Sequence, residues 1–192
     1  AYIDGLEQLS NTSSDSLAGV SSVASFFISR VDTEIDRRLV AVGSDEASSL
    51  CGTAAISQAK IAYQLFTQTF SGPRWSALVR RGARVQRPLW ASTSTKNPAY
   101  PDTLYVDQLI GPNTVNTLPD NTMLAFSDHG TPAVTIDTEV DLAHTRWNHL
   151  DRLGIDVSDV ALQLEREGVL SFQKSFTELI DALETKDQAF RR

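Results

Sequence analysis

The stretch of residues 87–98, RPLWASTSTKNP, most constrains the fold of this chain. A short apolar run leads into hydroxyl residues and then a single lysine, Lys96, before an Asn-Pro pair ends the segment. This order is typical of a buried strand that presents a cation at its carboxyl end, where α/β enzymes place groups that hold or transform anionic substrates. It predicts a strand near residues 88–93, with Ser92 at the mouth of a pocket and Lys96 just beyond as a binding residue.

An earlier segment has the same design. Residues 20–29 contain the apolar run Phe-Phe-Ile and are followed by Arg30 and acidic residues that start a helix. A continuous apolar run is typical of a strand covered on both faces. Two strands that each present one cation predict two walls of a single sugar-phosphate pocket. Two strand-end cations that face solvent are the alternative, and the pattern alone leaves both open.

The order of strands and helices predicts the fold class. A third short strand is expected near residues 113–117, and helices fill most of residues 138–190. Strands that alternate with helices indicate an α/β protein with a parallel sheet. A complete (β/α)₈ barrel takes about 250 residues. Three strands therefore predict the carboxyl-terminal part of such a barrel, incomplete without its amino-terminal strands and spanning residues 1–192.

Several helix limits follow from the sequence. Gly43 is predicted to end one helix and Ser44 to cap the next, which runs from about residue 45 to 70. Separate helices are expected at residues 157–167 and 171–190. The last of them carries a predicted buried stripe of Phe172, Phe176, Leu179 and Leu183.

The composition excludes several classes of protein. A formal net charge of −7 argues against a nucleic-acid or anionic-membrane surface. No apolar stretch approaches the roughly 20 residues that a spanning helix requires, and a single cysteine cannot form a disulfide framework. We expect a cytoplasmic protein with no membrane or nucleic-acid partner. Because the chain begins at Ala1 within a helical pattern, we also expect it to be a piece of a longer polypeptide.

The residues that most often bind metals do not form a metal site by sequence. His144 and His149 are five residues apart, whereas ligand pairs on one helix prefer a spacing of four, and His129 is distant from both. Cys51 has no basic neighbour in sequence and is interpreted as a small buried residue. No metal is predicted.

Four segments carry a resemblance to a known family. Residues 22–39, 87–98, 102–119 and 164–168 occur in the order found in the transaldolases and resemble the longer bacterial form of that family. The resemblance implies a (β/α)₈ barrel that transfers a dihydroxyacetone unit between sugar phosphates in the pentose phosphate pathway. It also implies catalysis through a lysine Schiff base, with no metal or organic cofactor.

The resemblance also assigns roles to residues. The Schiff-base lysine of the family lies on the fourth strand and its acid/base carboxylates on the first and third, whereas the strands here would be the sixth to eighth. We therefore predict no catalytic residue within this chain and no activity of the chain alone. Lys60 lies in a helical apolar stripe and is interpreted as non-catalytic. Lys96 as the nucleophile is the less favoured alternative.

The phosphate-binding residues are expected within the chain. Arg30, with Ser25 five residues earlier, matches the family's sixth-strand phosphate site. Lys96 would stand in for an arginine of the seventh strand, and Ser92 would add a hydroxyl. The implied partners are sugar phosphates and the amino-terminal half of the same barrel. The alternatives are a non-catalytic sugar-phosphate-binding module and a structural subunit completed by another chain.

Overall fold

The computed structural model describes residues 1–14 and 16–190 of the chain. It divides into two compact units, Ala1–Ile155 and Asp156–Arg192. In chain order the elements are α1 (Tyr2–Thr12), a 3₁₀ turn (Leu17–Gly19), β1 (Ser22–Phe27), α2 (Ser29–Val42), α3 (Asp45–Ser48), α4 (Ala54–Thr69), α5 (Gly72–Val79), β2 (Gln86–Ala91), α6 (Leu104–Gln108), β3 (Val115–Asn116), α7 (Asp120–His129), α8 (Val140–Arg152) and α9 (Val157–Phe190).

The strands form one parallel sheet in the order β1-β2-β3. Ser25 pairs with Leu89, and Leu89 pairs in turn with Val115. The predicted parallel pairing is therefore confirmed. β1 and β3 are shorter than the ranges expected from the sequence, whereas β2 has the expected length and begins two residues earlier. Three parallel strands with many flanking helices confirm the α/β class and are consistent with part of a (β/α)₈ barrel of the transaldolase type.

One face of the sheet is covered by helices. Phe26 and Trp90 meet edge to face with ring centroids 5.9 Å apart, and the Trp90 indole donates a hydrogen bond to the Leu109 carbonyl at 3.1 Å. Because Ala55 and Ala59 are small, α4 can approach the sheet closely. The core on this side comprises Ile28, Ala55, Ile56, Ala59, Tyr63, Trp90, Tyr105, Leu109 and Ile136.

The opposite face of β1 is exposed, contrary to the prediction of a strand covered on both sides. Side chains alternate along a strand, so Val23, Ser25 and Phe27 point to one face. Val23 and Phe27 are 41% and 43% exposed, and Ser25 is exposed as well. Arg87 of β2, opposite Val23, is also exposed. We call these four residues the open sheet face.

The predicted helix at residues 45–70 is wrong, because the chain forms two helices there. Gly43, with φ of 73°, ends α2 as predicted, and the Ser44 hydroxyl caps α3 by accepting a hydrogen bond from the Ala47 amide at 3.1 Å. Gly52 then adopts φ of 74° between α3 and α4. A left-handed residue cannot continue an α-helix, so the helical pattern is interrupted although its apolar spacing continues.

The carboxyl-terminal unit contains a single continuous helix, α9, so the predicted break between residues 167 and 171 is wrong. One mid-helix glycine, Gly168, costs about 1 kcal/mol, too little to end a helix of good helix formers. The predicted buried stripe is exposed: Phe172 and Phe176 are 67% and 66% accessible, and Leu179 and Leu183 are exposed too. An apolar stripe shows that a helix can bury one face, but it does not supply the covering surface. Within the described residues, no helix has the length and hydropathy needed to cross a bilayer.

Candidate functional site

Hydrogen bonds continue past the carboxyl ends of β1 and β2 and join the two segments that follow. The Ile28 amide donates to the Ala91 carbonyl at 2.9 Å, and the Ser29 amide donates to the Ser92 carbonyl at 3.0 Å. The hydroxyl oxygens of Ser29 and Ser92 are 2.9 Å apart. The strand-end segments singled out in the sequence therefore lie at one rim of the sheet.

Ser92 has an unusual backbone conformation. Its φ is 58°, in the left-handed region that non-glycine residues rarely adopt. Such strain persists where the surroundings hold the residue in place, and it is concentrated at functional sites. The turn at Ser92 redirects the chain from β2 toward Lys96. Nothing in the sequence predicted this turn, because a serine does not require positive φ.

The end of β3 is fixed to the same rim. The Thr93 hydroxyl donates to the Asn116 side-chain oxygen at 2.8 Å, and the Thr117 amide donates to the Trp90 carbonyl at 3.1 Å. Asn116 therefore binds the segment after β2.

Arg30 and Ser25 lie at the open sheet face. Arg30 is exposed in the first turn of α2, and its guanidinium carbon is 4.9 Å from the centre of the Phe27 ring. This is within the range of a cation–π contact. Because Phe27 and Ser25 are two residues apart on β1, their side chains share the open sheet face. A cation and a hydroxyl group are thus presented on the same side of the sheet.

Lys96 lies at the rim against different neighbours. Its ammonium group is exposed and donates to the Ser94 hydroxyl at 2.8 Å. It helps to line a cavity of about 260 Å³ between α2 and the segment that precedes α6. The other residues lining that cavity are Asp32, Thr33, Asp36, Arg37, Val40, Asn97, Tyr100 and Tyr105. Arg30 and Lys96 thus share a rim but have separate surroundings in the described residues, and their phosphate-binding roles stay predictions.

Two carboxylates of α2 lie beside Lys96. Asp32 is 1% exposed and accepts hydrogen bonds from the Ala55 amide at 2.7 Å and the Tyr105 hydroxyl at 2.8 Å. Burial raises the pKa of Asp32 to about 6, although both hydrogen bonds oppose the shift. Asp36 accepts from the Gly52 amide at 2.9 Å and from the Tyr100 hydroxyl at 2.6 Å.

Sequence reasoning missed this pair. In the sequence, Asp32 is one of the acidic residues that start a helix after Arg30, and Asp36 has no predicted role. Their spacing of four residues, which places both on one helix face, was the available indication. The hydrogen-bond donors are distant in sequence, so the pattern could not reveal them.

A salt-bridge cluster occupies another part of α2. Glu34 accepts hydrogen bonds from Arg37 at 2.8 and 2.7 Å and from Arg38 at 2.7 Å. Both arginines lower the pKa of Glu34, which falls to about 2 because the charged hydrogen bonds outweigh its burial. These charges are paired within α2 and stabilise that helix.

Lys60 is buried in α4, and its ammonium group has three oxygen acceptors. Its ammonium group donates to the Thr135 and Thr138 carbonyls at 2.7 and 2.8 Å and to the Thr138 hydroxyl at 3.2 Å. Burial lowers the pKa of Lys60. These contacts give it a structural role, which links α4 to the segment before α8.

The histidines and the cysteine have separate surroundings. His129 contacts Asp102 at 2.8 Å, His144 contacts Gln64 at 2.7 Å, and His149 contacts Glu46 at 2.5 Å. Cys51 is half-buried, and burial raises the pKa of its thiol, so it is a poor nucleophile. Within residues 1–14 and 16–190, no group of three His, Cys, Asp or Glu side chains is arranged to hold a metal ion.

The family model described as transaldolase/fructose-6-phosphate aldolase matches residues 7–183. The chain belongs to this family. The resemblance seen in the sequence is thereby confirmed, and it covers both cation-bearing segments of the rim.

Several bacterial transaldolases are similar over nearly the whole chain. The transaldolase of Parafrankia sp. (strain EAN1pec) is 49% identical over 184 residues, which are 95% of this chain and 50% of that protein. The transaldolase of Mycolicibacterium smegmatis is 48% identical over 195 residues, 100% of this chain and 52% of its own length. The transaldolase of Renibacterium salmoninarum is 50% identical over 182 residues, which are 94% of this chain and 48% of that protein. The chain spans about half the length of these relatives and matches their carboxyl-terminal half.

Proposed function

We propose that this chain is the carboxyl-terminal half of a transaldolase and binds the phosphate group of its sugar substrates. The supporting observation is the presence of Arg30 and Ser25 together at the open sheet face, on a rim joined by the Ser29–Ser92 contact. An arginine can hold a phosphate through two charge-assisted hydrogen bonds. The amino terminus of α2, which carries Arg30, adds a favourable electrostatic field for an anion.

Lys96 and Ser92 complete the proposed phosphate site. Lys96 supplies a second cation at the same rim, and the left-handed turn at Ser92 sets the direction of the chain that carries it. A sugar phosphate is a ligand of the size and charge that such a rim accommodates. In this proposal the reaction is the transfer of a dihydroxyacetone unit between sugar phosphates in the pentose phosphate pathway of the cytoplasm.

The catalytic lysine is proposed to come from a polypeptide segment outside residues 1–192. In the proposed reaction the amine of that lysine condenses with the ketose carbonyl, releases water and forms an imine. Lys60 is not suited to this step because its ammonium group is buried against backbone carbonyls. The chain alone therefore binds substrate without turnover.

The remaining half of the barrel is the proposed partner. Within the described residues β1 pairs only with β2, which leaves one edge of β1 unpaired. The open sheet face exposes Val23 and Phe27 on the same strand. Further strands would pair with the free edge, and a sheet that closes into a barrel encloses its inner face. This observation also favours a second candidate, in which a separate chain supplies those strands.

The first test measures substrate binding by the 192-residue chain, using NMR titration with fructose 6-phosphate. Arg30→Ala should weaken binding at least tenfold. Arg80→Ala is the matched control, because Arg80 is also exposed but follows α5. Equal affinities of the two variants would contradict the proposed phosphate site.

The second test is borohydride trapping with fructose 6-phosphate. The chain alone should give no covalent adduct. The chain mixed with the amino-terminal half of the Mycolicibacterium smegmatis relative should give an adduct on that half and show transfer activity. An adduct on the 192-residue chain would overturn the assignment of catalysis to the other half, and peptide mass spectrometry would show whether Lys96 is the nucleophile.

A further inference from the structure

The two carboxylates of α2 join the same two segments of the chain. Asp32 and Asp36 are one helical turn apart, and each accepts one hydrogen bond from the chain around the start of α4 and one from a tyrosine beyond β2. All four carboxylate oxygens have a donor within 2.9 Å. We call Asp32, Asp36, Tyr100 and Tyr105 the carboxylate clamp.

The packing around the clamp leaves little freedom. A Cβ atom added to Gly52 would lie 2.8 Å from the Tyr100 ring, and Gly52 has φ of 74°. Only glycine therefore lets the Gly52 amide reach Asp36 while the Tyr100 ring lies against the same backbone. Tyr105 is 2% exposed, so its ring is held by the surrounding core as well as by the hydrogen bond to Asp32.

Burying Asp32 beside a second carboxylate is unfavourable for stability. Desolvation and repulsion from Asp36 both oppose the ionisation of Asp32, and apolar residues of similar size often stabilise such sites equally well. A site that retains both acids gains a defined geometry from their hydrogen bonds. The segments whose geometry is defined are α2 and the chain that leads to α6.

Those segments carry the two cations of the proposed phosphate site. Arg30 precedes Asp32 by two residues on α2, and Lys96 precedes Tyr100 by four residues. Lys96 also lines the same cavity of about 260 Å³ as all four clamp residues. The clamp thus fixes the distance between the helix that bears Arg30 and the segment that bears Lys96.

We propose that Asp36 and Tyr100, supported by Asp32 and Tyr105, are positioning residues that hold Lys96 at the phosphate-binding rim. This inference rests on the proposed function, because it concerns affinity for a sugar phosphate. The clamp residues act through Lys96 and do not themselves contact the phosphate.

The test is a double-mutant cycle between Tyr100→Phe and Lys96→Met in the 192-residue chain, with NMR titration of fructose 6-phosphate. Tyr100→Phe removes only the hydroxyl that donates to Asp36. It should weaken binding about fivefold when Lys96 is present and have no further effect when Lys96 is methionine. Double-mutant cycles isolate such coupling.

Tyr63→Phe is the matched control. It removes the hydrogen bond from a buried tyrosine of α4, which is not a clamp residue, to the Pro112 carbonyl at 3.0 Å. Melting temperatures should fall similarly in both tyrosine variants, whereas only Tyr100→Phe should lower affinity. Unchanged affinity in Tyr100→Phe, or an equal loss with and without Lys96, would overturn the positioning role. Failure of the parent chain to bind would instead reject the proposed function, and this inference with it.

Discussion

The hydroxyl oxygens of Ser29 and Ser92 lie 2.9 Å apart and join the first residue of α2 to the first residue beyond β2. Together with the Ser29 amide bond to the Ser92 carbonyl at 3.0 Å, this contact extends the pairing of β1 and β2 past both strands. The contact holds the chain that carries Arg30 beside the chain that carries Lys96. The rim of the sheet is therefore fixed in part by Ser92, which also belongs to the proposed phosphate site.

The turn at Ser92 gives a test of backbone strain. Ser92→Ala and Ser92→Gly both remove the hydroxyl, but glycine tolerates the φ of 58° whereas alanine does not. We expect Ser92→Ala to lower the free energy of unfolding by about 2 kcal/mol and Ser92→Gly by about 1 kcal/mol less. Urea denaturation measures both values. If the Ser92→Ala variant were at least as stable as the Ser92→Gly variant, the turn would have to relax from its positive φ when the serine is replaced.

Asp32 gives a test of pH dependence. Its pKa is raised from 3.8 to about 6 by burial, so the folded state binds a proton more tightly than the unfolded state. The stabilisation from this proton is present below pH 4 and is lost as pH rises through 6. We expect Asp32 to lower the free energy of unfolding by roughly 3 kcal/mol between pH 4 and 7.

Asp32→Asn should remove that decline, because asparagine does not ionise. Urea denaturation at pH 4, 5, 6 and 7 compares the slopes of the two proteins. Asp120→Asn, at the exposed start of α7, is the control and should retain the slope of the parent. If the free energy of unfolding changed with pH in the same way in the parent and in Asp32→Asn, the raised pKa of Asp32 would be contradicted.

Glu34 should act in the opposite sense. Its pKa is lowered from 4.5 to about 2 by Arg37 and Arg38, so the unfolded state binds a proton more tightly. The stabilisation is present above pH 4.5 and is lost as pH falls through 2. Glu34→Gln should therefore cost about 2 kcal/mol at pH 7 and little at pH 2, by chemical denaturation. Glu178→Gln, in an exposed pair on α9, should show neither effect. If the free energies of unfolding of Glu34→Gln and the parent differed by the same amount from pH 2 to pH 7, the ionic origin of the stabilisation would be refuted.

The strands were predictable because their residues are constrained locally. A short apolar run that ends in hydroxyl groups and a cation, as in residues 87–98, has few alternatives to a strand end. The split between α3 and α4 was not predictable from apolar spacing, because it depends on the left-handed Gly52, which lies against the Tyr100 ring. A contact over 48 residues of chain leaves no periodic pattern in the sequence.

The site was predictable only in part, for the same reason. Arg30 and Lys96 follow strands, so their common rim could be expected from parallel topology alone. The side chains that contact these two cations could not be predicted. The contact between Arg30 and Phe27, for example, depends on which face of β1 carries Phe27. In the sequence alone Asp32 and Asp36 resemble solvent-facing acids, because their partners in α4 and the two tyrosines are distant along the chain.

Lys60 gives a test of a buried cation with a structural role. Lys60→Met keeps the length of the side chain but leaves the Thr138 carbonyl without its donor at 2.8 Å. A hydrogen bond from a charged group contributes about 1.5–3 kcal/mol, so we expect the free energy of unfolding to fall by about 2 kcal/mol. Affinity for fructose 6-phosphate should not change, because Lys60 lies in α4, away from the rim. Lys174→Met, on the exposed side of α9, should leave both quantities unchanged. If Lys60→Met matched the parent in stability, the cost of burying the ammonium group would equal the gain from its hydrogen bonds, and the link from α4 to the segment before α8 would not depend on charge.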